Sequence, residues 1–317
     1  MLEFVLLVVG LSGLWLGSEV LIRGAISLAD RYNMSDAIIG MLILAIGTDL
    51  PELFVAFDAS LRSLAGENLS GIVIGTAVGS SIGQFGLVMG AAGFIGVASR
   101  PTRLMFRSAV FLVGGLLALA AFCVDGEISR VEGYLLCAIY AAYLFTLIFW
   151  KTPNTEKMAV AELAPISHAV AFIIAGLTLL LFSAELTVVS ARDFADLVGL
   201  SDLSVSAIII GMGSSLPELS VCIVALMKNR GGLSVGNLMG SNVLDTFFVP
   251  GVGAAISPLV IPATVLWVDL PVLALLTVLV LGFVYVSPRG VQKVEGCLLV
   301  GIYLGYAVTR VTLNGPY

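Results

Sequence analysis

The sequence predicts an all-α, polytopic membrane protein: ten transmembrane helices form two inverted five-helix repeats, with both termini outside. Its 317 residues are 59% hydrophobic and only 11% charged, whereas soluble globular domains are about 45–50% apolar and about 25% charged. Apolar windows of roughly 20 residues, the length that crosses a bilayer, recur along the chain. The two halves of the chain also share sequence. This composition excludes an ordinary soluble enzyme.

Ten apolar windows define the predicted spans. The chain is apolar from Met1 and has no basic stretch at the start of its first apolar window, so we expect a retained helix and not a signal peptide. The predicted spans are 2–29, 35–61, 69–98, 104–123, 131–150, 165–191, 203–227, 232–256, 264–286 and 292–312.

The basic residues predict the orientation. Eleven of the 15 Lys and Arg residues fall in the loops after spans 1, 3, 5, 7 and 9. Basic loops favour the cytoplasm, so both termini should face outward.

An internal repeat divides the chain. Residues 17–53 match residues 183–219 at eleven positions without gaps, and a second block around Gly79 recurs around Gly240. We therefore expect a first five-helix repeat at 1–150, a short cytoplasmic connector at 151–163 and a second repeat at 164–317. Because five is odd, the second repeat must be inverted. Inverted repeats with interrupted helices are typical of secondary transporters with a site near the membrane midplane.

The second span of each repeat carries a proline and an acidic residue deep in an apolar run. The motifs are Gly47-Thr-Asp-Leu-Pro-Glu52 and Gly213-Ser-Ser-Leu-Pro-Glu218. Proline removes a backbone donor and breaks the helix. The freed carbonyl groups need a partner in lipid, and a cation is one. Intramembrane carboxylates are costly and usually functional, so both glutamates are candidate ligands.

The third span of each repeat carries glycine at every fourth residue, a pattern that allows close helix packing. Ser80 and Gln84 are four residues apart, as are Ser241 and Asp245, so each pair lies on one helix face. These faces could meet the broken helices. The candidate site therefore contains Asp49, Glu52, Glu218 and Asp245, with Thr48, Ser80, Ser81, Gln84, Ser214, Ser215, Ser241 and Asn242.

Oxygen ligands without sulfur or imidazole suit Ca²⁺, Mg²⁺, Na⁺ or K⁺, and a set of six to eight flexible oxygens suits Ca²⁺ best. Two carboxylates ~4 Å apart repel by roughly 4 kcal/mol at an effective dielectric near 20. A divalent ion and several monovalent ions could neutralise the same carboxylates in turn. This competition would be the basis of exchange.

Other classes fit less well. The net charge of −6 opposes nucleic-acid binding, and a single histidine with four dispersed cysteines predicts no metal or redox cofactor. The sequence shows no pairing of a nucleophile with a base that would indicate an enzyme. A channel stays an alternative, although a deep carboxylate cage should trap a divalent ion. The expected partners are the lipid bilayer and inorganic cations; oligomeric state is open, with a monomer plausible.

The two motif blocks resemble the alpha-repeats of the calcium/cation antiporter superfamily, which contains the sodium/calcium exchangers. The resemblance implies a four-helix core of spans 2, 3, 7 and 8, across which spans 1 and 6 slide to alternate access. It implies Ca²⁺ binding by Glu52 and Glu218. It also implies Na⁺ ligands among the hydroxyl groups of Thr48, Ser80, Ser214, Ser215 and Ser241 and the carbonyl groups near Ala45 and Gly211. Asp245 matches a position that is Asp or Asn in the family.

Three residues depart from the family pattern. Asp49 replaces Ser, Ser81 replaces Asn, and Gln84 replaces Asn or Asp. We expect a secondary active cation antiporter that exchanges Ca²⁺ for Na⁺. The departures leave as an alternative another divalent cation, or coupling to H⁺ or K⁺. Because residues 151–162 are too short for a soluble regulatory loop, the chain resembles a minimal exchanger of a prokaryotic plasma membrane.

Overall fold

The computed structural model describes residues 2–67, 69–96, 102–149, 165–197, 213–286 and 290–314, which are mostly helical. The helices are α1 (Leu2–Tyr32), α2 (Asp36–Ile39), α3 (Ala45–Thr48), α4 (Leu50–Leu64), α5 (Ser70–Gly83), α6 (Met89–Ile95), α7 (Arg103–Phe122), α8 (Arg130–Phe149), α9 (Ile166–Leu197), α10 (Leu216–Met227), α11 (Gly231–Ile256), α12 (Leu270–Val286) and α13 (Lys293–Asn314). Three π-helical segments adjoin them: Gly40–Leu44, Gln84–Val88 and Val265–Asp269. Two short strands, β1 (Glu127–Ile128) and β2 (Leu259–Val260), pair antiparallel.

The helices confirm a multi-pass membrane protein. Six helices of the described chain are long and apolar enough to cross a membrane, and α2–α3 with α4 form a bent pair that could be a seventh span. Their limits lie within a few residues of the predicted spans; α7, for example, covers Arg103–Phe122 against a predicted 104–123. The full count of ten, the inversion and the outward termini stay predictions. The connector at 151–163 and the first part of the seventh span lie outside the described residues.

Glycine brings α1 and α9 into close antiparallel contact. Gly10 lies against Thr187 near one end of the pair, and Gly24 lies against Ala169 near the other. A Cβ atom on Gly24 would come within 2.7 Å of the Ala169 carbonyl oxygen. A larger residue at this position would therefore force the two helices apart.

Helix α11 forms the centre of the fold and is buried along most of its length. Its glycines pack against the start of the second span, with Gly236 against Ala37 and Gly240 against Met41. The two segments therefore run parallel. The close packing predicted for the third-span glycines is thus observed in the second half. Gly75 and Gly79 have no such neighbour within 4 Å among the described residues.

The second span breaks at Asp49, as the proline motif predicts. Helix α3 ends at Thr48, α4 begins at Leu50 with Pro51 in its first turn, and the two parts meet at 47°. Asp49 has φ −86° and ψ 7°. Its counterpart Ser215, which precedes Leu216 and Pro217, has φ −94° and ψ 4°. The two halves therefore share the same local geometry at the residue that precedes the half-helix.

Candidate cation site

The polar residues predicted from the sequence lie in the interior of the helix bundle. Eleven of them are almost completely buried: Thr48, Asp49, Glu52, Ser80, Ser81, Gln84, Ser215, Glu218, Ser241, Asn242 and Asp245. Ala45 is buried as well. Ser214 is exposed among the described residues, and Gly211 lies outside them.

The breaks place the two glutamates at equivalent positions. Glu52 lies in the first turn of α4, and Glu218 lies in the first turn of α10. The first turn of a helix carries unpaired N–H groups and the positive end of the helix dipole, which favours a carboxylate there. A local feature of the sequence therefore makes a deeply buried negative charge tolerable in each half.

Gln84 connects the two halves of the site. It begins the π-helical segment after α5, and its Nε2 donates to Ser80 Oγ at 3.1 Å, Asp245 Oδ2 at 3.2 Å and Asp49 Oδ1 at 3.4 Å. Its Oε1 accepts a hydrogen bond from Asn242 Nδ2 at 2.8 Å. One amide group thus links two carboxylates that come from different repeats.

The two glutamates differ in their partners. Ser80 Oγ donates to Glu52 Oε1 at 3.4 Å. Neither carboxylate oxygen of Glu218 has a hydrogen-bond partner among the described residues. The Thr48 hydroxyl donates a hydrogen bond within its own span, to the Leu44 carbonyl oxygen at 3.0 Å.

Several further oxygen atoms are buried without a partner in the described part of the chain. They are one carboxylate oxygen each of Asp49, Glu52 and Asp245, the hydroxyls of Ser81, Ser215 and Ser241, and the amide oxygen of Asn242. Leaving a buried polar atom unpaired costs free energy, so each such group in a native fold calls for an explanation. Oxygens of this type are the ligands that Ca²⁺ and Na⁺ prefer.

Like charges face each other in this region. Asp49 interacts electrostatically with Asp245, Glu218 and Glu52, and Glu52 interacts with Glu218 and Asp245. Among the described residues, no group of three Asp, Glu, His or Cys side chains is arranged so that it could hold a metal ion by itself. A bound cation would therefore share carboxylate oxygens with hydroxyl, amide or backbone oxygens.

Asn237 is a polar residue that the sequence reasoning did not include in the site. It is completely buried in α11, and its side-chain nitrogen and oxygen have no partner among the residues described. Asn237, Ser241 and Asp245 follow one another at intervals of four residues, so they lie on one face of α11. That spacing was the signal that could have identified it.

Comparison with known families gives one match over nearly the whole chain. The model described as sodium/calcium exchanger protein matches residues 2–149 and 168–312. The two matched segments are separated by the region in which the connector was predicted.

Individual proteins show the same likeness. The chain is 31% identical to CaxA of Alkalimonas amylolytica, which is described as a candidate antiporter, over 95% of this chain and 96% of that one. It is 25% identical to the sodium/calcium exchanger MaX1 of Methanosarcina acetivorans over 96% and 97% of the two chains. A solved structure of the sodium-calcium exchanger NCX_Mj, soaked with Na⁺ and Ca²⁺, superposes with a TM-score of 0.81, 27% identity and 99% coverage of both chains.

Proposed function

The chain belongs to the sodium/calcium exchanger protein family, and we propose that it exchanges Ca²⁺ for Na⁺ by alternating access. Membership of this family makes it a cation antiporter of the membrane and not an enzyme. The proposed part is the identity of the ions, the site that holds them and the way the site opens.

The unpartnered carboxylate oxygens support this function best. Glu52 and Glu218 are buried at equivalent breaks, and three of their four carboxylate oxygens have no hydrogen-bond partner among the described residues. In our proposal these two side chains bind Ca²⁺ directly. Asp49, Asp245 and Asn242, the serine and threonine hydroxyls, and the carbonyl groups of Ala45 and Gly211 complete the cation sites, and the Gln84 amide competes with cations for Asp49 and Asp245.

The charge of the site provides the coupling. Four carboxylates close together in the low-dielectric interior cannot all stay ionised without cations. One Ca²⁺ would neutralise two of the four charges, and several Na⁺ ions or protons would neutralise them one by one; Ca²⁺ and Na⁺ would exclude each other from the carboxylates they share. The antiporter then needs no cofactor, since the transported ions supply the compensating charge.

The directions of packed helices support the inverted ten-span arrangement. Helices α1 and α9 belong to predicted spans 1 and 6, five crossings apart, and they pack antiparallel. The segment from Asp36 to Ala45 and helix α11 belong to spans 2 and 8, six crossings apart, and they run parallel. A chain that crosses the membrane at every span gives these two directions. We extend the proposal to outward termini and a prokaryotic plasma membrane.

Gln84 favours a second candidate function. Its Nε2 lies within hydrogen-bond distance of both Asp49 and Asp245, where a monovalent cation could otherwise bind the two carboxylates. Asp49 adds a charge at a position that carries a hydroxyl in the family pattern. The second candidate is therefore an exchanger of another divalent ion, or one coupled to H⁺ or K⁺.

Uptake of ⁴⁵Ca²⁺ into proteoliposomes separates these functions. Vesicles are loaded with Na⁺, with K⁺ or with an acidic buffer, and diluted into medium without the internal ion. We expect uptake only from Na⁺-loaded vesicles, and none with Glu218→Gln. Asp58→Asn is the matched control, because Asp58 is an exposed carboxylate on the same helix as Glu52. Uptake driven by K⁺ or by protons, with none driven by Na⁺, would support the second candidate.

A further inference from the structure

A groove of about 500 Å³ lies on the outer surface of the bundle, between α7 and α12. Its lining is apolar and aromatic, with Gly114 among the lining residues. Phe106, Val110, Val113 and Leu117 contribute one wall, and each of these four side chains is at least 40% exposed. None of the groove residues belongs to the candidate cation site.

One end of this groove is basic. Arg103 is the first residue of α7, three residues before Phe106 and seven before Val110, so it lies on the same helix face. It is exposed. Arg107 lies one turn further along, and its Nη2 donates to the Thr146 carbonyl of α8 at 2.7 Å. Arg103 therefore places an exposed guanidinium group at the end of the groove at which α7 begins, whereas the Arg107 guanidinium is bound to α8.

The length of the groove matches one leaflet. Eleven residues separate Phe106 from Leu117, a rise of about 16 Å along a helix. This is about half of the ~30 Å hydrocarbon core of a bilayer. A transmembrane helix of another chain would need a groove as long as the whole hydrocarbon core. An acyl chain of one leaflet needs a groove only half as long.

Tyr285 forms part of the groove wall at the basic end. Its ring meets Phe106 edge to face, with ring centres 6.3 Å apart. Its hydroxyl is shielded from water and has no hydrogen-bond partner in the described ranges. A bound lipid therefore contacts the Tyr285 ring, and not its hydroxyl, at this end of the groove.

We propose that this groove binds one acyl chain of an anionic phospholipid in the leaflet at the Arg103 end, with the lipid phosphate on Arg103. Basic clusters at the cytoplasmic ends of transmembrane helices attract anionic headgroups. In the proposed orientation Arg103 faces the cytoplasm. This inference concerns the lipid-facing surface and does not depend on which ions the protein exchanges.

Native mass spectrometry of the full chain tests the headgroup. The delipidated protein receives equimolar dioleoylphosphatidylglycerol and dioleoylphosphatidylcholine, and the lipid retained per protein is counted. We expect one retained phosphatidylglycerol. Arg103→Gln should lower its apparent affinity about fivefold, the effect of one basic residue near the headgroups. Arg130→Gln, at the first position of α8, should leave retention unchanged.

A second pair of variants tests the groove itself. A Cβ atom on Gly114 would meet no atom within 4 Å, so there is open space for a side chain here, and Gly114→Leu places one in the groove. It should abolish retention of phosphatidylglycerol. Gly305→Leu is the control, since Gly305 is exposed on α13 with the same open surroundings.

Three results would overturn the proposal: equal retention of the two lipids, unchanged retention in Gly114→Leu, or a dimer that Gly114→Leu converts to monomer. The last result, measured by light scattering, would make a second copy of the chain the occupant of the groove.

Discussion

The two repeats contribute equal charge to the buried site but place it differently. In the first repeat both carboxylates, Asp49 and Glu52, lie on the broken second span. In the second repeat Glu218 lies on α10, and Asp245 lies on the next helix, α11. The repeat aligns Asp49 with Ser215 and Gln84 with Asp245. The second carboxylate of the first repeat, Asp49, therefore lies on the broken span, whereas that of the second repeat, Asp245, lies on the following helix.

This difference shows that the count of charges and their positions are separate properties of the site. Each repeat contributes two carboxylates, four in all, so the site holds two more negative charges than one divalent ion neutralises. The positions differ, and Gln84 joins the displaced pair through Asp49 at 3.4 Å and Asp245 at 3.2 Å. We expect charge count to determine whether the protein transports divalent ions. Charge position should determine which ions it couples.

Removing a charge at either break should have the largest effect. Glu218→Gln or Glu52→Gln should reduce divalent transport about 100-fold or more, because losing one partner of a buried charge pair costs ~3–5 kcal/mol. The readout is the initial rate of ⁴⁵Ca²⁺ uptake. Asp58→Asn should match the wild type. Normal uptake in both glutamate variants would mean that the ion is bound elsewhere.

Moving the displaced charge should change selectivity more than capacity. Asp49→Ser alone should lower Ca²⁺ affinity at least about tenfold, since a carboxylate close to the cation attracts it by several kcal/mol at short range. Adding Gln84→Asp gives the first repeat the pattern of the second and should restore Ca²⁺ uptake. The ratio of Na⁺-driven to K⁺-driven uptake should also change. A double variant with no higher Ca²⁺ affinity than Asp49→Ser would contradict the claim that charge count and charge position act separately.

Removing the bridging amide should favour cation binding. Gln84 donates hydrogen bonds to the carboxylates of Asp49 and Asp245, and hydrogen bonds to charged groups contribute ~1.5–3 kcal/mol. A cation that binds both carboxylates must displace these hydrogen bonds; Gln84→Ala removes that cost, so the apparent affinity for Na⁺ should rise about tenfold. Stabilisation of the protein by Na⁺ in thermal melts measures this effect. Gln292→Ala, at the other glutamine of the chain, is the control; a fall in Na⁺ affinity would oppose the proposed role.

The contact between the repeats outside the site should affect stability alone. Arg230 Nη1 lies 3.2 Å from Asp36 Oδ1, and both side chains are largely buried. Arg230→Gln should lower stability by about 1–2 kcal/mol, more than an exposed pair contributes. Asp36→Asn in addition should recover part of the loss. Thermal melts check the stability, and unchanged ion selectivity checks that the pair is not part of the site.

Much of this architecture could be predicted from local sequence. The span limits follow from apolar length, and the break at Asp49 follows from Pro51. The burial of Glu52 and Glu218 follows from their position within apolar runs. The pair of Glu19 with Arg23 follows from their spacing of four residues along one helix.

Contacts between distant parts of the chain could not be predicted from local sequence. Nothing near Glu19 in the sequence indicates its second partner, Lys228, at 3.1 Å. The same holds for Asp269 and Arg310, which are buried together with 3.4 Å between Oδ1 and Nε. The bridging role of Gln84 depends on how α11 packs beside it. These contacts join segments far apart in the chain, so no local pattern specifies them.

Anomalous diffraction from crystals soaked with Sr²⁺ would locate the divalent ion, because Sr²⁺ takes the same oxygen ligands as Ca²⁺. We expect one dominant peak between Glu52 and Glu218, absent in Glu218→Gln and retained in Asp58→Asn. A dominant peak away from both glutamates, or one that persists unchanged in Glu218→Gln, would contradict this expectation.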